Sequence, residues 1–227
     1  MKKLSKQQAD RTIVLLPTLN EEDGLPWVLE KLKLVGAKRI ILIDGNSTDA
    51  THAIAKKAGC EIILQEGKGK GRGFVSFLKK HKIEEDKFYV MLDADATYDP
   101  LQLPEFVDKL EEGFDVVTGN RQQKINSFRD VYHVIGAKGI SVFGAIVYQK
   151  WNPDICTGYW GFTGKALKKM VIDAQRFDLE AALFSEACKK SMKMTVLPIH
   201  YYDRAGEAKL HAYDALSIAA KLVEKRF

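Results

Sequence analysis

Short apolar runs rich in β-branched residues recur through the first half of the chain, and helical spacing separates each from the next. Thr12–Leu16, Arg39–Ile43, Glu61–Leu64, Phe88–Leu92 and Asp115–Thr118 read as strands, the first of them buried. Between them, Asn20 is placed to cap a helix with an acidic first turn (Glu21, Glu22, Asp23) and with Leu25, Val28, Leu29 and Leu32 on one face. A second helix carries Ala53, Ile54 and Ala58 and stops at Gly59. A third runs from Phe74 to Lys80, and a fourth opens at Asp99-Pro100 and closes at Gly113. Strands alternating with helices in this way imply βαβ units, hence an α/β fold with a mostly parallel central sheet flanked by helices. A length of 227 residues with 46% hydrophobic and 29% charged content fits one ordered domain over 1–227.

In such sheets ligands sit beyond the carboxyl ends of the strands. Following the runs in order are Pro17-Thr18-Leu19-Asn20-Glu21, Asp44, the glycine-rich Gly67–Gly73, Asp93-Ala94-Asp95 and Gly119-Asn120-Arg121. Carboxylates, cations and glycines on one rim favour an anionic ligand held with a metal. Asp93 and Asp95, two residues apart at a strand end, are expected to point the same way, about 7 Å apart. Such a pair can hold a hard divalent cation, Mg2+ or Mn2+, that bridges two phosphates of a nucleotide sugar. The competing reading has one aspartate capping the coming turn and the other solvated. Glycines 67–73 let backbone N–H groups approach phosphates, with Lys68, Lys70 and Arg72 adding charge. A flexible basic surface loop has the same composition, and neither the G-x-G-x-x-G nor the Walker spacing is present. Asp44 is placed to accept from a ribose or base, and Asp49 to cap the Ala50–Ala58 helix. The five histidines have no metal-ligand spacing.

The formal charge, 35 − 30 = +5, suits anionic small molecules or an anionic membrane surface and falls short of a nucleic-acid binder. Cys60, Cys156 and Cys188 are widely spaced and read as reduced thiols of a cytosolic protein. Met1–Arg11 is polar and is not a leader, and the longest uncharged run, Gly139–Gln149, is too short to span a bilayer. Two stretches are amphipathic. Val131–Tyr148 forms one helix followed by Trp151, within a helical segment at about 125–150. A C-terminal helix at about 210–227 places Leu216, Ala219, Ala220, Val223 and Phe227 on one face, accompanied by Lys221, Lys225 and Arg226.

Taken together, Pro17–Glu21, Asp44 with Ser47–Thr51, Gly69-Lys70-Gly71, Leu92–Asp95 and Gly119–Arg121 resemble the inverting family 2 glycosyltransferases of GT-A fold. Phe177–Glu180, Leu197–Ile199 and Asp203–Leu210 are similar to the dolichol-phosphate mannose synthase branch, and the resemblance covers residues 12 to 212. It implies that Pro17, Glu21, Asp44, Lys70 and Asp93 bind the nucleotide. It also implies that Asp93 and Asp95 hold the metal, and that Asp95, Arg121, Arg204 and Lys209 act on the donor diphosphate or an acceptor phosphate. The implied reaction moves a hexose from a GDP- or UDP-sugar to a polyprenyl phosphate such as dolichyl phosphate, with inversion, at the cytoplasmic face of a membrane contacted peripherally. A soluble or polysaccharide hydroxyl acceptor would need a base, for which Glu180 or Asp154 is the nominee. A non-catalytic nucleotide-sugar-binding subunit is the alternative from another class. The chain departs from the family pattern at Gly45, Leu19, Thr97, Ala208 and Tyr159-Trp160.

Overall fold

A computed structural model describes residues 1–122, 128–202 and 214–226, the side chains of 128–133 and 214–215 excepted. The strands are β1 (Thr12–Thr18), β2 (Arg39–Asp44), β3 (Glu61–Leu64), β4 (Phe88–Met91), β5 (Val116–Gln122), β6 (Trp160–Thr163) and β7 (Met194–His200). They form one seven-stranded sheet in the order β3-β2-β1-β4-β6-β5-β7. β6 runs antiparallel to β4 and β5 and every other pairing is parallel. The carboxyl ends of β1, β2, β4, β5 and β7 therefore share one rim.

The helices are α1 (Lys6–Arg11), α2 (Leu25–Leu34), α3 (Thr51–Lys57), α4 (Lys70–Lys80), α5 (Leu103–Glu111), α6 (Phe128–Tyr148), α7 (Gly164–Lys169), α8 (Leu179–Lys189) and α9 (Asp214–Glu224). Strand side chains alternate between the two faces of the sheet. Ile13, Leu15, Ile41, Ile43, Tyr89 and Met91 meet Phe74 and Phe77 of α4, Leu179 and Leu183 of α8, and Ile218 and Leu222 of α9. Val14, Leu16, Leu42, Val90 and Leu92 meet α2, α3 and α5 through Val28, Leu32, Ala55, Phe106 and Val107. Burial on both faces is why the central strands read as continuous apolar runs. Each such large apolar side chain contributes about 1.5–3 kcal/mol.

Several expectations are corrected. Asn20 does not cap α2: it sits at φ +50°, and its Oδ1 accepts from the Thr48 N–H at 2.8 Å, so the helix starts at Leu25. The glycine-rich stretch is a loop only as far as Gly69, since Lys70–Gly73 form the first turn of α4. α1 was not anticipated, although Ser5 and Gln8 form a capping box, with the Ser5 hydroxyl accepting from Gln8 N–H and the Gln8 side chain from Ser5 N–H. The C-terminal helix buries a different face from the one expected. Ile218 and Leu222 are covered while Leu216 and Val223 are exposed, because α9 rests on α6 and α8, where the Tyr148 hydroxyl donates to the Leu222 carbonyl at 2.9 Å.

α6 is apolar on both sides. Ile140, Gly144 and Tyr148 face the core, and the opposite side presents Ile135, Val142 and Ile146, exposed by 63%, 49% and 71%. Among the described residues no helix is long and apolar enough to cross a membrane.

Candidate active site

The Asp93-Ala94-Asp95 segment lies past the end of β4, which stops at Met91, and the chain turns through Ala96 at φ +62°. The two carboxylates are therefore not successive same-face residues of a strand, as the spacing suggested. Two glycines press on this turn. A Cβ on Gly24, just before α2, would stand 2.7 Å from the Ala94 carbonyl oxygen, and one on Gly158 would stand 2.4 Å from Asp93 Oδ2. Asp95 is buried, and its Oδ1 accepts from the Thr97 N–H at 3.1 Å and from the Thr97 hydroxyl at 2.6 Å. Asp93 is partly open and lies 2.6 Å from the ammonium of Lys70, which also donates to Glu180 Oε1 at 2.7 Å. Burial opposes the Lys70 charge, but the two carboxylates outweigh it and hold its pKa above the ordinary lysine value. Burial pushes the Glu180 carboxyl up, with Lys70 pulling against it and Asp93 adding to it.

The glycines beside Lys70 have a role other than the expected one. Gly71 N–H donates to the Arg176 carbonyl at 2.9 Å and Arg72 N–H to the Gln175 carbonyl at 3.0 Å. A Cβ on Gly69 or Gly71 would come within 2.6 Å or 2.5 Å of that same segment. These glycines let one backbone lie on another; the start of α4 is stopped by protein carbonyls and does not present a row of N–H groups to phosphate.

Arg121, at the end of β5, forms a second buried ion pair. Its Nε and Nη2 donate to Oδ2 and Oδ1 of Asp154, both at 2.7 Å, its backbone N–H reaches the same carboxylate, and its guanidinium lies 5.3 Å from the centre of the Tyr201 ring. Burial alone would lower the Arg121 pKa, but Tyr98 and Asp154 raise it well above the ordinary value. Tyr98 and Tyr201 stand between the two charged groups, with their rings 5.2 Å apart and the Tyr98 hydroxyl accepting from Gly158 N–H at 2.6 Å. Tyr201 feels Arg121 on one side and Asp93 and Asp95 on the other. Beyond Arg121 is a cavity of about 460 Å³ lined by Asn120, Gln122, Val134, Lys138 and Pro153 among others.

The remaining nominated residues are distributed as follows. Asp44 is fully buried. Its Oδ2 accepts from Asn46 and Ser47 N–H and lies 2.8 Å from His52 Nε2, and its Oδ1 accepts from the Ser47 hydroxyl, so the carboxylate shapes the turn after β2. Pro17 is in β1 opposite Ile43, and Glu21 N–H donates to the Thr51 hydroxyl. Asp49 is not the N-cap of α3, which is Ala50; from one residue earlier it accepts from Thr51 N–H, and it also accepts from Glu22 N–H. Arg204 and Lys209 lie outside the described residues. Tyr202, the last described residue before them, lies next to the site, where its N–H donates to the Thr97 carbonyl at 2.8 Å.

The departures from the family pattern also find places. Tyr159 and Trp160 are buried in and beside β6, Tyr159 stacking on Phe106 at 4.0 Å between ring centres, so they belong to the core. Leu19 and Gly45 touch each other, and a Cβ on Gly45 would come within 3.2 Å of the Leu19 Cβ. Thr97 orients Asp95. Sequence reasoning did not foresee that Glu180 meets Lys70 or that Asp154 meets Arg121.

Carboxylates and cations, the residue types that a divalent cation with a diphosphate would require, lie together on this rim. Asp93 and Glu180 meet across the Lys70 ammonium, which already occupies a cation's place on Asp93. Among the described residues no three His, Cys, Asp or Glu side chains converge as a complete metal cage. Asp93 and Asp95 would supply the protein ligands, with phosphate and water oxygens completing the shell, as is usual for Mg2+.

Glycosyltransferase AglJ of Haloferax volcanii is 30% identical over 202 residues, covering 86% of this chain, which spans only 64% of that protein. The dolichyl-phosphate hexose transferase of the same organism is 27% identical over 218 residues, covering 95% of this chain and 93% of that protein. Among solved structures, glucosyl-3-phosphoglycerate synthase from Mycobacterium tuberculosis, in complex with Mn2+ and UDP-glucose, superposes with a TM-score of 0.73 at 18% identity, over 96% of this chain and 80% of that one. The fold is GT-A. The sequence pattern of glycosyl transferase family 2 matches residues 13–171, and the chain belongs to that family of glycosyltransferases.

Proposed function

We propose that residues 1–227 act as one catalytic domain that transfers a hexose from a GDP- or UDP-sugar to a polyprenyl phosphate such as dolichyl phosphate, with inversion at the anomeric carbon. Asp93 and Asp95 hold Mg2+ or Mn2+, which neutralises charge on the departing diphosphate. Pro17, Glu21, Asp44 and Lys70 line the nucleotide side, and Arg121, Arg204 and Lys209 serve the phosphates. A phosphomonoester has a second pKa of about 6, so it is largely ionised at neutral pH and needs positioning more than a general base. Glu180 and Asp154, each engaged with a cation, are then not required as bases.

The observation that carries the acceptor reading is the cavity beside Arg121. Its lining combines Arg121 and Lys138 with Val134, Ala137 and Pro153, and the helix that supplies three of these residues also exposes Ile135, Val142 and Ile146. An anionic head and an apolar tail match that pairing. A dolichyl-phosphate hexose transferase among the relatives supports the same reading. Reversible contact through α6 at the cytoplasmic face of a membrane follows from it. A second reading is favoured by the solved glucosyl-3-phosphoglycerate synthase in complex with phosphoglyceric acid: a small water-soluble phosphorylated acceptor.

One experiment separates them. The protein is incubated with Mn2+ and a panel of GDP- and UDP-hexoses, and with a polyprenyl phosphate in anionic vesicles, phosphoglycerate or a short soluble alcohol. Transfer to the polyprenyl phosphate, with co-flotation on the vesicles at low salt and release at high salt, is expected. Transfer to phosphoglycerate alone without flotation establishes the second reading.

A further inference from the structure

Lys70 is held by two carboxylates at once, and both bonds are short, 2.6 Å to Asp93 and 2.7 Å to Glu180. The lysine side chain is 14% exposed and that of Glu180 8%, so water does little to share either bond. Three elements fix the geometry. Lys70 opens α4, whose Gly71 and Arg72 N–H groups are tied to the carbonyls of Arg176 and Gln175. That segment is braced in turn by Asp178, whose Oδ1 accepts from Gln175 N–H at 2.8 Å and Arg176 N–H at 3.0 Å. Glu180 follows in the first turn of α8. Asp93 comes from the end of β4, where the lack of a side chain on Gly158 gives it room.

A divalent cation on Asp93 must share that carboxylate with an ammonium already in contact with it. Two cations on one carboxylate repel each other, strongly so where water is scarce. The repulsion is relieved when the ammonium acquires another anionic partner, which a diphosphate provides. We infer that Lys70 guards the cation position on Asp93 until a nucleoside diphosphate arrives, and that Glu180 is a positioning residue that keeps the ammonium at the rim while its other partner changes from carboxylate to phosphate. Divalent cation and nucleotide thus bind as a coupled pair, each tightening the other by the same factor. The inference rests on the proposed reading that Asp93 and Asp95 hold the cation.

The test is Mn2+ binding to the full chain, followed by the electron paramagnetic resonance signal of free Mn2+, without and with UDP or GDP. Without nucleotide, Lys70→Met should bind Mn2+ at least tenfold more tightly than wild type. Glu180→Gln, which leaves the ammonium to Asp93 alone, should bind it at least threefold more weakly. The mutual tightening of Mn2+ and nucleotide should shrink in Lys70→Met. Because Lys70→Met strands a buried carboxylate, Lys70→Met/Glu180→Gln, which removes both charges, provides a second measurement and should also bind Mn2+ more tightly than wild type. Unchanged or weaker Mn2+ binding in both lysine variants overturns the inference. Asp93→Asn separates the two levels. If it loses Mn2+ while the lysine variants match wild type, the cation site stands and the guarding role falls. If Asp93→Asn binds Mn2+ like wild type, the cation reading itself fails.

Discussion

The two buried charged groups on the rim differ in how completely they are paired. Arg121 and Asp154 form a one-to-one pair with two parallel bonds, closed further by a backbone N–H and a tyrosine ring. Around Lys70, two carboxylates share one ammonium, and one of them, Asp93, is partly open. A closed pair with matched fork geometry is costly to break and holds the Arg121 guanidinium in place beside the cavity it lines. On the proposed reading, the first holds the acceptor side of the rim in place and the second belongs to the donor side.

The largest expected effect tests the closed pair. Asp154→Asn leaves the Arg121 guanidinium buried without its anion and should lower stability by about 3–5 kcal/mol in urea unfolding. A loss below about 1 kcal/mol would put the two groups in the same class. On the donor side the expected loss is in catalysis. Asp93→Asn leaves Lys70 with Glu180, so the urea midpoint should hardly move while kcat/KM for sugar transfer falls about 10²- to 10³-fold, as when one electrostatic group of a site is removed. Parallel losses of stability and activity would show that Asp93 too is a structural partner.

The smallest effect sharpens the boundary between the groups. Cys156 lies where Arg121, Asp154 and Glu180 are all felt, and burial pushes its thiol up to about 12. A raised pKa keeps the thiol protonated at pH 8, where an ordinary cysteine of pKa about 8.5 is partly thiolate. Iodoacetamide at pH 8 should therefore label Cys156 at least about 100-fold more slowly than a peptide cysteine. Labelling at the peptide rate, read by mass spectrometry, would mean that water reaches between the two groups.

Legibility in the sequence followed the range of the interactions. β1, β2 and β4 are buried on both faces and read directly as apolar runs, and the ligand rim follows from what comes after them. β6 is four residues long, and β7 is half-exposed and carries Pro198, so neither gave a periodic signal. Asp93 and Asp95 were visible because position after a strand is local information. The contact of Lys70 with Glu180 joins residues 110 apart, and that of Arg121 with Asp154 residues 33 apart, each brought together by tertiary packing that spacing does not encode. Composition misled at two places. Glycines that suit phosphate also suit a crossing backbone, and on α9 the count of apolar residues did not reveal which side faces α6 and α8.

The carbonyl groups of Gln175 and Arg176 that stop the start of α4 bear on turnover. A helix beginning with open N–H groups is a rigid anion trap, preset before the ligand comes and unchanged after the reaction. Here those donors are satisfied internally, so the first turn of α4 reaches the rim through the Lys70 side chain. A side chain can swing back to a carboxylate once the sugar has moved. If Lys70 holds the diphosphate as proposed, its return to Asp93 would loosen the grip on the spent nucleotide in each cycle, with no helix having to open.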